Sequence, residues 1–186
     1  MPQPQTCPEI NGWSDDDLQC FENISGMAQV MYVFLVSEVK SGLVATDNEY
    51  TTPVFKDGTK RLRRYELKED AQKSVGEGKG SNKGFDITIT TVIDAVNKAI
   101  SKEARGLNNS RVGVIIKDSN GESQILYHPD RRVHINSFTQ DTGASTEDDR
   151  ATTIEWQLKG SFYPSMYVQE PEAGWDSLVG PEASSE

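Results

Sequence analysis

The chain has little cysteine, little histidine and no long apolar run. Cys7 and Cys20 are its only cysteines among 186 residues. Two are too few for a disulfide framework, and they supply half of a structural zinc set. Reduced thiols in an N-terminal arm are the expectation, with a Cys7–Cys20 disulfide as the alternative. The longest apolar stretch, MAQVMYVFLV at 27–36, falls well short of the roughly 20 residues of a membrane span. No basic segment followed by an apolar one opens the chain, so no secretory signal is read. The expectation is a soluble protein made in the cytoplasm, with no membrane partner.

Lys and Arg are missing from both ends. Residues 1–25 carry Glu9, Asp15, Asp16, Asp17 and Glu22, and residues 169–186 carry Glu170, Glu172, Asp176, Glu182 and Glu186. The net charge of −10 disfavours wholesale binding to nucleic acid or to an anionic membrane. Hydrophobic residues make up 35%, which points to one modest core with loops or tails that bury little. The length suits one domain rather than two.

What is present reads mostly as strands. Residues 1–26 hold three prolines without a period and read as an arm. Residues 28–37 read as a strand, 38–60 as loop, and 61–68 as a further strand with Leu62, Tyr65 and Leu67 facing apolar surroundings. Residues 69–84 hold four glycines and read as a long flexible loop. FDITITTVI at 85–93 alternates Phe85, Ile87 and Ile89 against Asp86, Thr88 and Thr90, the pattern of a half-buried strand.

Asp94 is the expected N-cap of a helix over about 94–106, with Val96, Ala99, Ile100, Ala104 and Leu107 as its apolar stripe. Gly106 with Asn108 and Asn109 is the stop signal. Strands at 111–118 and 123–128 flank the hairpin signal Asn120-Gly121. Residues 132–140 follow, with Val133, Ile135 and Ser137 on one face and Arg132, His134 and Asn136 on the other. RATTIEWQLKG at 150–160 is the last clear strand, SFYPSMYV closes the domain at 168, and 169–186 reads as a mobile acidic tail. Strands around one helix, with turns every eight to twelve residues, define an α+β chain that is mainly β: a β-sandwich or barrel with one packed α-helix.

Both histidines lie in HPDRRVH, 128–134. A catalytic reading makes His128 or His134 a general base oriented by Asp130. It lacks a marked nucleophile, and its parts fall within one turn. The bland alternative is a turn centred on Pro129-Asp130, with Arg131 and Arg132 facing acidic neighbours. The glycine loop GEGKGSNKG, with Gly76, Lys79 and Lys83, fails the phosphate-loop spacing, because Lys79 is followed by Gly80. It is either mobile or a segment that orders against a neighbour. The basic cluster Lys56, Lys60, Arg61, Arg63, Arg64 and Lys68 is either a solvated strand face or a match for an acidic surface. The acidic runs 14–17 and 146–149 lack the Gly and distal Glu of a calcium loop. No catalytic residue, metal or cofactor is expected.

LNN-x-x-VGVIIKD (107–118), ILYHPDRR (125–132) and DTGA…DDR…TIE (141–155) carry a resemblance. With MAQVMYVFLVSEV and TTPVFKDG upstream, residues 27–168 resemble structural proteins of tailed bacteriophages that infect Bacteroidetes, including relatives of the crAss-like phages. The resemblance implies a sandwich or barrel of tail-tube type and a non-enzymatic subunit of the virion. It would assemble into rings, commonly six-fold. Its partners would be like subunits and neighbouring tail, neck or capsid proteins, with DNA passing only as cargo through a lumen. Lys60, Arg61, Arg63, Arg64, Gly76, Lys79, Lys83, Arg131 and Arg132 are the candidate subunit contacts. A head-completion, neck or capsid-decorating protein is the alternative within the virion. A small hydrolase or nuclease using His128, Asp130 and His134 is the alternative of another class.

Overall fold

A computed structural model describes residues 27–56, 61–69, 71–80, 84–119, 121–143 and 150–180. The expected N-terminal arm with Cys7 and Cys20, the two acidic runs, Lys60, Lys83 and Asn120 lie outside the described residues. The strands are β1 (Met27–Leu35), β2 (Ala45–Thr46), β3 (Glu49–Tyr50), β4 (Arg63–Glu66), β5 (Lys73–Gly78) and β6 (Phe85–Ile93). After helix α1 (Lys98–Asn108) come β7 (Val112–Asp118), β8 (Ser123–Leu126), β9 (His134–Asp141), β10 (Ala151–Ser161) and β11 (Tyr167–Val168). They form a seven-stranded sheet, β2-β3-β11-β8-β7-β1-β4, and a four-stranded sheet, β5-β6-β10-β9. The fold is mainly β with one helix among the described residues, and it is sandwich-like. Neither sheet closes on itself, so of the two expected forms the barrel is set aside.

Burial follows the sequence pattern. In β10, Thr152, Ile154, Trp156 and Leu158 are buried, in register with Ile93, Thr91, Ile89 and Ile87 of β6. That is the strict alternation of a strand with one face in the core. β7 and β1 are instead apolar on consecutive residues, because both faces of the large sheet are covered. Met31 pairs with Ile116 and Val33 with Val114, facing the small sheet. Tyr32 pairs with Ile115 and Phe34 with Gly113 on the other face. That second face is roofed by aromatics: Phe55 and Tyr127 lie 6.1 and 6.2 Å from Phe34, and Trp175 lies 6.3 Å from Tyr32. Each fully buried Ile, Leu or Val contributes about 1.5–3 kcal/mol.

Four local expectations are corrected. The stretch 69–84 is not simply a flexible loop, since Lys73–Gly78 is a strand paired with β6 from Lys73↔Thr90 to Gly78↔Phe85. Gly76 has a packing reason: a Cβ on it would meet the Pro164 carbonyl oxygen at 2.1 Å. The C-terminal stretch is docked as far as residue 180. Trp175 is buried and donates Nε1–H to Ser123 Oγ at 2.9 Å. Leu62 N–H bonds Leu178 O, and Gly180 N–H bonds Leu62 O, both at 3.0 Å. Composition hid this, because Trp175, Leu178 and Val179 anchor a segment whose remaining residues are mostly acidic, Pro, Gly and Ser.

The helix begins later than expected. Asn97, not Asp94, caps it, accepting from Ile100 N–H at 2.9 Å. Ala99 is exposed and Val96 precedes the helix, so the stripe reduces to Ile100, Ala104 and Leu107. Gly106 lies inside the helix rather than after it. In β9, a bulge between Glu155↔Ser137 and Trp156↔Ile135 leaves Asn136 over and shifts the alternation. Phe138, rather than Ser137, therefore shares the face of Ile135, opposite Ile154.

Candidate subunit-contact surface

HPDRRVH folds as a turn between β8 and β9. His128 Nδ1 accepts the backbone N–H of Asp130 at 3.0 Å and of Arg131 at 3.1 Å. A ring nitrogen that accepts twice carries no proton, which places the imidazole proton on Nε2. Burial and the Arg131 and Arg111 cations lower the His128 pKa, against the opposing pull of Asp130. His134 sits beyond the turn on β9, paired with Gln157.

The candidate cations of this turn are tied to their own chain. Arg131 Nη1 donates to Lys159 O at 3.0 Å and to Gly160 O. Arg132 Nε donates to Ser110 O at 3.2 Å. Arg111 Nη2 reaches Pro129 O.

Arg63 and Arg64 stand on β4, at the end of the large sheet. Arg63 grips Glu38 with two nitrogens, each 3.3 Å from an oxygen. Arg64 lies 2.8 Å from Glu66 and 3.3 Å from Asp176. The same Asp176 oxygen accepts the Tyr32 hydroxyl at 3.0 Å, and burial together with this carboxylate pushes the Tyr32 pKa up to about 12. Lys117 likewise pairs with Glu170 at 2.8 Å. Within the chain, one member of the basic cluster, Arg64, thus meets an acid of the C-terminal stretch. Lys79 contacts Glu77 at 2.9 Å and Asp86 at 3.8 Å, next to Gly76 of β5. Thus Gly76 and Lys79 gather at one sheet, Arg63 and Arg64 at the other, and Arg131 and Arg132 at the turn. Arg61 precedes β4, and Arg131 comes near Lys79 through Gly160, whose carbonyl takes Arg131 and whose N–H donates to the Asp86 carboxylate that Lys79 faces.

The four-stranded sheet offers a more coherent surface. Among the described residues β5 pairs only with β6, and β9 only with β10, so both edges are open. Register puts Lys73, Val75 and Glu77 of β5 with Asp86, Thr88 and Thr90 of β6 on the face away from the core. Thr153, Glu155 and Gln157 of β10 and His134, Ser137 and Thr139 of β9 continue that face. It is a hydroxyl-rich ladder with charges of both signs. The ITIT stretch of β6 announced its polar half, but nothing in the sequence announced the open edges.

A cleft of about 200 Å³ lies between α1, strands β1 and β4 of the large sheet, and the inner strands β6 and β10 of the small one. Met31, Ile93, Ile100, Ala104, Leu107 and Trp156 line its floor and walls, with Tyr65, Glu66 and Glu103 also in the lining. Tyr65 donates its hydroxyl to Glu103 Oε1, and burial first, then that carboxylate, raises the phenol's pKa.

No group of His, Cys, Asp and Glu among the described residues is arranged to hold a metal, and no described helix is long and apolar enough to cross a membrane. No family model, curated protein or solved structure matches the chain.

Proposed function

We propose that the chain is a non-enzymatic structural subunit that builds rings, and that its place is the tail tube or a tail ring of a bacteriophage virion. The observation that carries the self-assembly reading is the four-stranded sheet with both edges open and its outer face polar. An unpaired edge is a template for another strand. Pairing β5 of one copy with β9 of the next is head-to-tail, and a head-to-tail contact whose rotation closes makes a ring. The sheets would then run on from copy to copy, with one face turned to a common interior. Threonine hydroxyls with Glu77, Asp86 and Glu155 on that face would let DNA slide past without adhering. The resemblance of residues 27–168 supplies the virion as the setting.

The hydrolytic reading draws less support, because His128 Nδ1 is already filled by two backbone donors. Negative-stain electron microscopy of the full chain over a concentration series tests the assembly. Rings with an open centre are expected, six-fold if the tail-tube position is right. A chain that stays monomeric throughout overturns the reading. Rings of another symmetry move it to the neck or head.

A further inference from the structure

Phe162 is 84% exposed, directly after the end of β10. Its ring is held against Tyr163, 5.5 Å away at 65°. The apolar cleft beside α1 lies towards the other end of that strand, where Ile154 and Trp156 reach its wall. Six to eight residues of strand separate the two features, roughly 20–26 Å at about 3.3 Å per residue. A single exposed ring is common on protein surfaces. An exposed ring just past the end of β10 and an apolar cleft against the first half of the same strand form a complementary pair.

Size and charge agree. Apolar cavities of about 150 Å³ admit benzene, and this cleft measures about 200 Å³. The ring is flanked by cations: Lys159 is exposed three residues before it, and Arg131 sits on the Lys159 and Gly160 carbonyls. The cleft carries carboxylates: Glu66, whose side chain is 80% exposed, and Glu103. Arg64 also lines it and pairs with Glu66, and Glu103 accepts the Tyr65 hydroxyl, so the cleft counts two carboxylates against one arginine and keeps a net acidic sign. Opposite signs therefore stand at the knob and at the hole.

We infer that Phe162 of one copy seats in the α1 cleft of the next, with Lys159 and Arg131 meeting Glu66 and Glu103. Knob and hole are different surfaces, so the contact is heterologous and propagates head to tail. It does not use the edges of the four-stranded sheet, so it is a second contact between copies, suited to stacking one ring on another. It rests on the reading of the chain as a self-assembling subunit.

Cross-linking between copies tests the contact. In a C7S/C20S background, copies carrying Lys159→Cys are mixed with copies carrying Glu66→Cys and treated with a short bismaleimide. Mixed dimers are expected at least tenfold above either variant alone, and adding Phe162→Ala to the Lys159→Cys copy should abolish them. Sedimentation of the otherwise unaltered chain gives the second readout. Phe162→Ala should weaken stacking at least tenfold while leaving single rings intact. Lys159→Glu should also weaken it, and Lys159→Glu with Glu66→Lys should restore it.

Absence of the mixed cross-link overturns the inference, as does stacking indifferent to Phe162→Ala. In either case rings that still form leave the assembly reading standing. A chain that neither rings nor stacks overturns both.

Discussion

Trp156 donates its indole N–H to the Thr91 hydroxyl, 3.1 Å away across neighbouring strands of the small sheet, and both side chains are fully buried. The hydroxyl also lies 3.4 Å from Ile154 O. The largest fully buried side chain of the core thus depends for its one polar atom on a threonine that faces inward.

Thr91→Val keeps the shape and removes the acceptor. It leaves a buried N–H without a partner, which costs about 1–3 kcal/mol. Urea unfolding followed by tryptophan fluorescence should show that loss. Thr91→Ser keeps the hydroxyl and should lose less. A larger loss for Thr91→Ser than for Thr91→Val would mean that the methyl group, not the hydrogen bond, matters at this site.

The docked C-terminal stretch makes a second prediction. Trp175 packs on Tyr32 and donates to Ser123 Oγ, while residues 178–180 extend the outer edge at Leu62. Trp175→Ala should destabilise the fold by about 3–5 kcal/mol, as large aromatic truncations do in cores. A chain ending after Val168 should lose at least as much. If the truncated chain unfolds at the same urea concentration as the full one, the stretch contributes nothing to the core.

These two residues also mark what the sequence made legible. The alternation of β10 placed Trp156 in the core, and the hairpin at Asp118–Ser123 followed from Asn120-Gly121. Sheet partners stayed hidden, because pairing across the chain leaves no local period. Gly76 and Gly78 disguised β5 as a loop, since the small inward residue demanded by Pro164 is also a loop residue. Asn136 disguised the β9 face, because one extra residue inverts every later position. Of the nine candidate contact residues, the structure gives internal partners to Arg63, Arg64, Lys79, Arg131 and Arg132. Basic residues read as a surface for another molecule can serve their own chain equally well, and sequence does not separate the two uses.

His128 should make the stability of the turn depend on pH. Its Nδ1 accepts two backbone N–H groups, and a protonated ring cannot accept them. Burial and the neighbouring arginines hold its folded pKa below the usual value of about 6.5. The neutral form is therefore favoured by folding. The stabilisation is complete above the unfolded pKa and is lost as pH falls through the folded one. His128→Asn supplies a carbonyl oxygen that accepts from the same turn and does not titrate near neutrality. Between pH 7.5 and pH 5 the native chain should lose more stability than His128→Asn, by urea unfolding at each pH. Parallel losses would remove His128 from the account.

Gly113 tests the crowding between β7 and β1. It pairs with Phe34, and a Cβ built on it would lie 2.1 Å from the tip of that ring. Phe34 itself is fully buried between Phe55 and Tyr127, so the ring has no empty side to turn to. Gly113→Ala should therefore cost about 1–3 kcal/mol, the range for overpacking a filled core. The cause can be isolated with a second substitution. Phe34→Leu shortens the side chain over Gly113 and is destabilising alone, through the lost ring contacts. In that background the extra methyl of Gly113→Ala meets space, so the alanine should cost clearly less than it does beneath phenylalanine. A double-mutant cycle measures the difference, and a coupling of about 0.5 kcal/mol or more is expected for residues in direct contact. Additive losses would assign the alanine's effect to the strand backbone rather than to the ring above it.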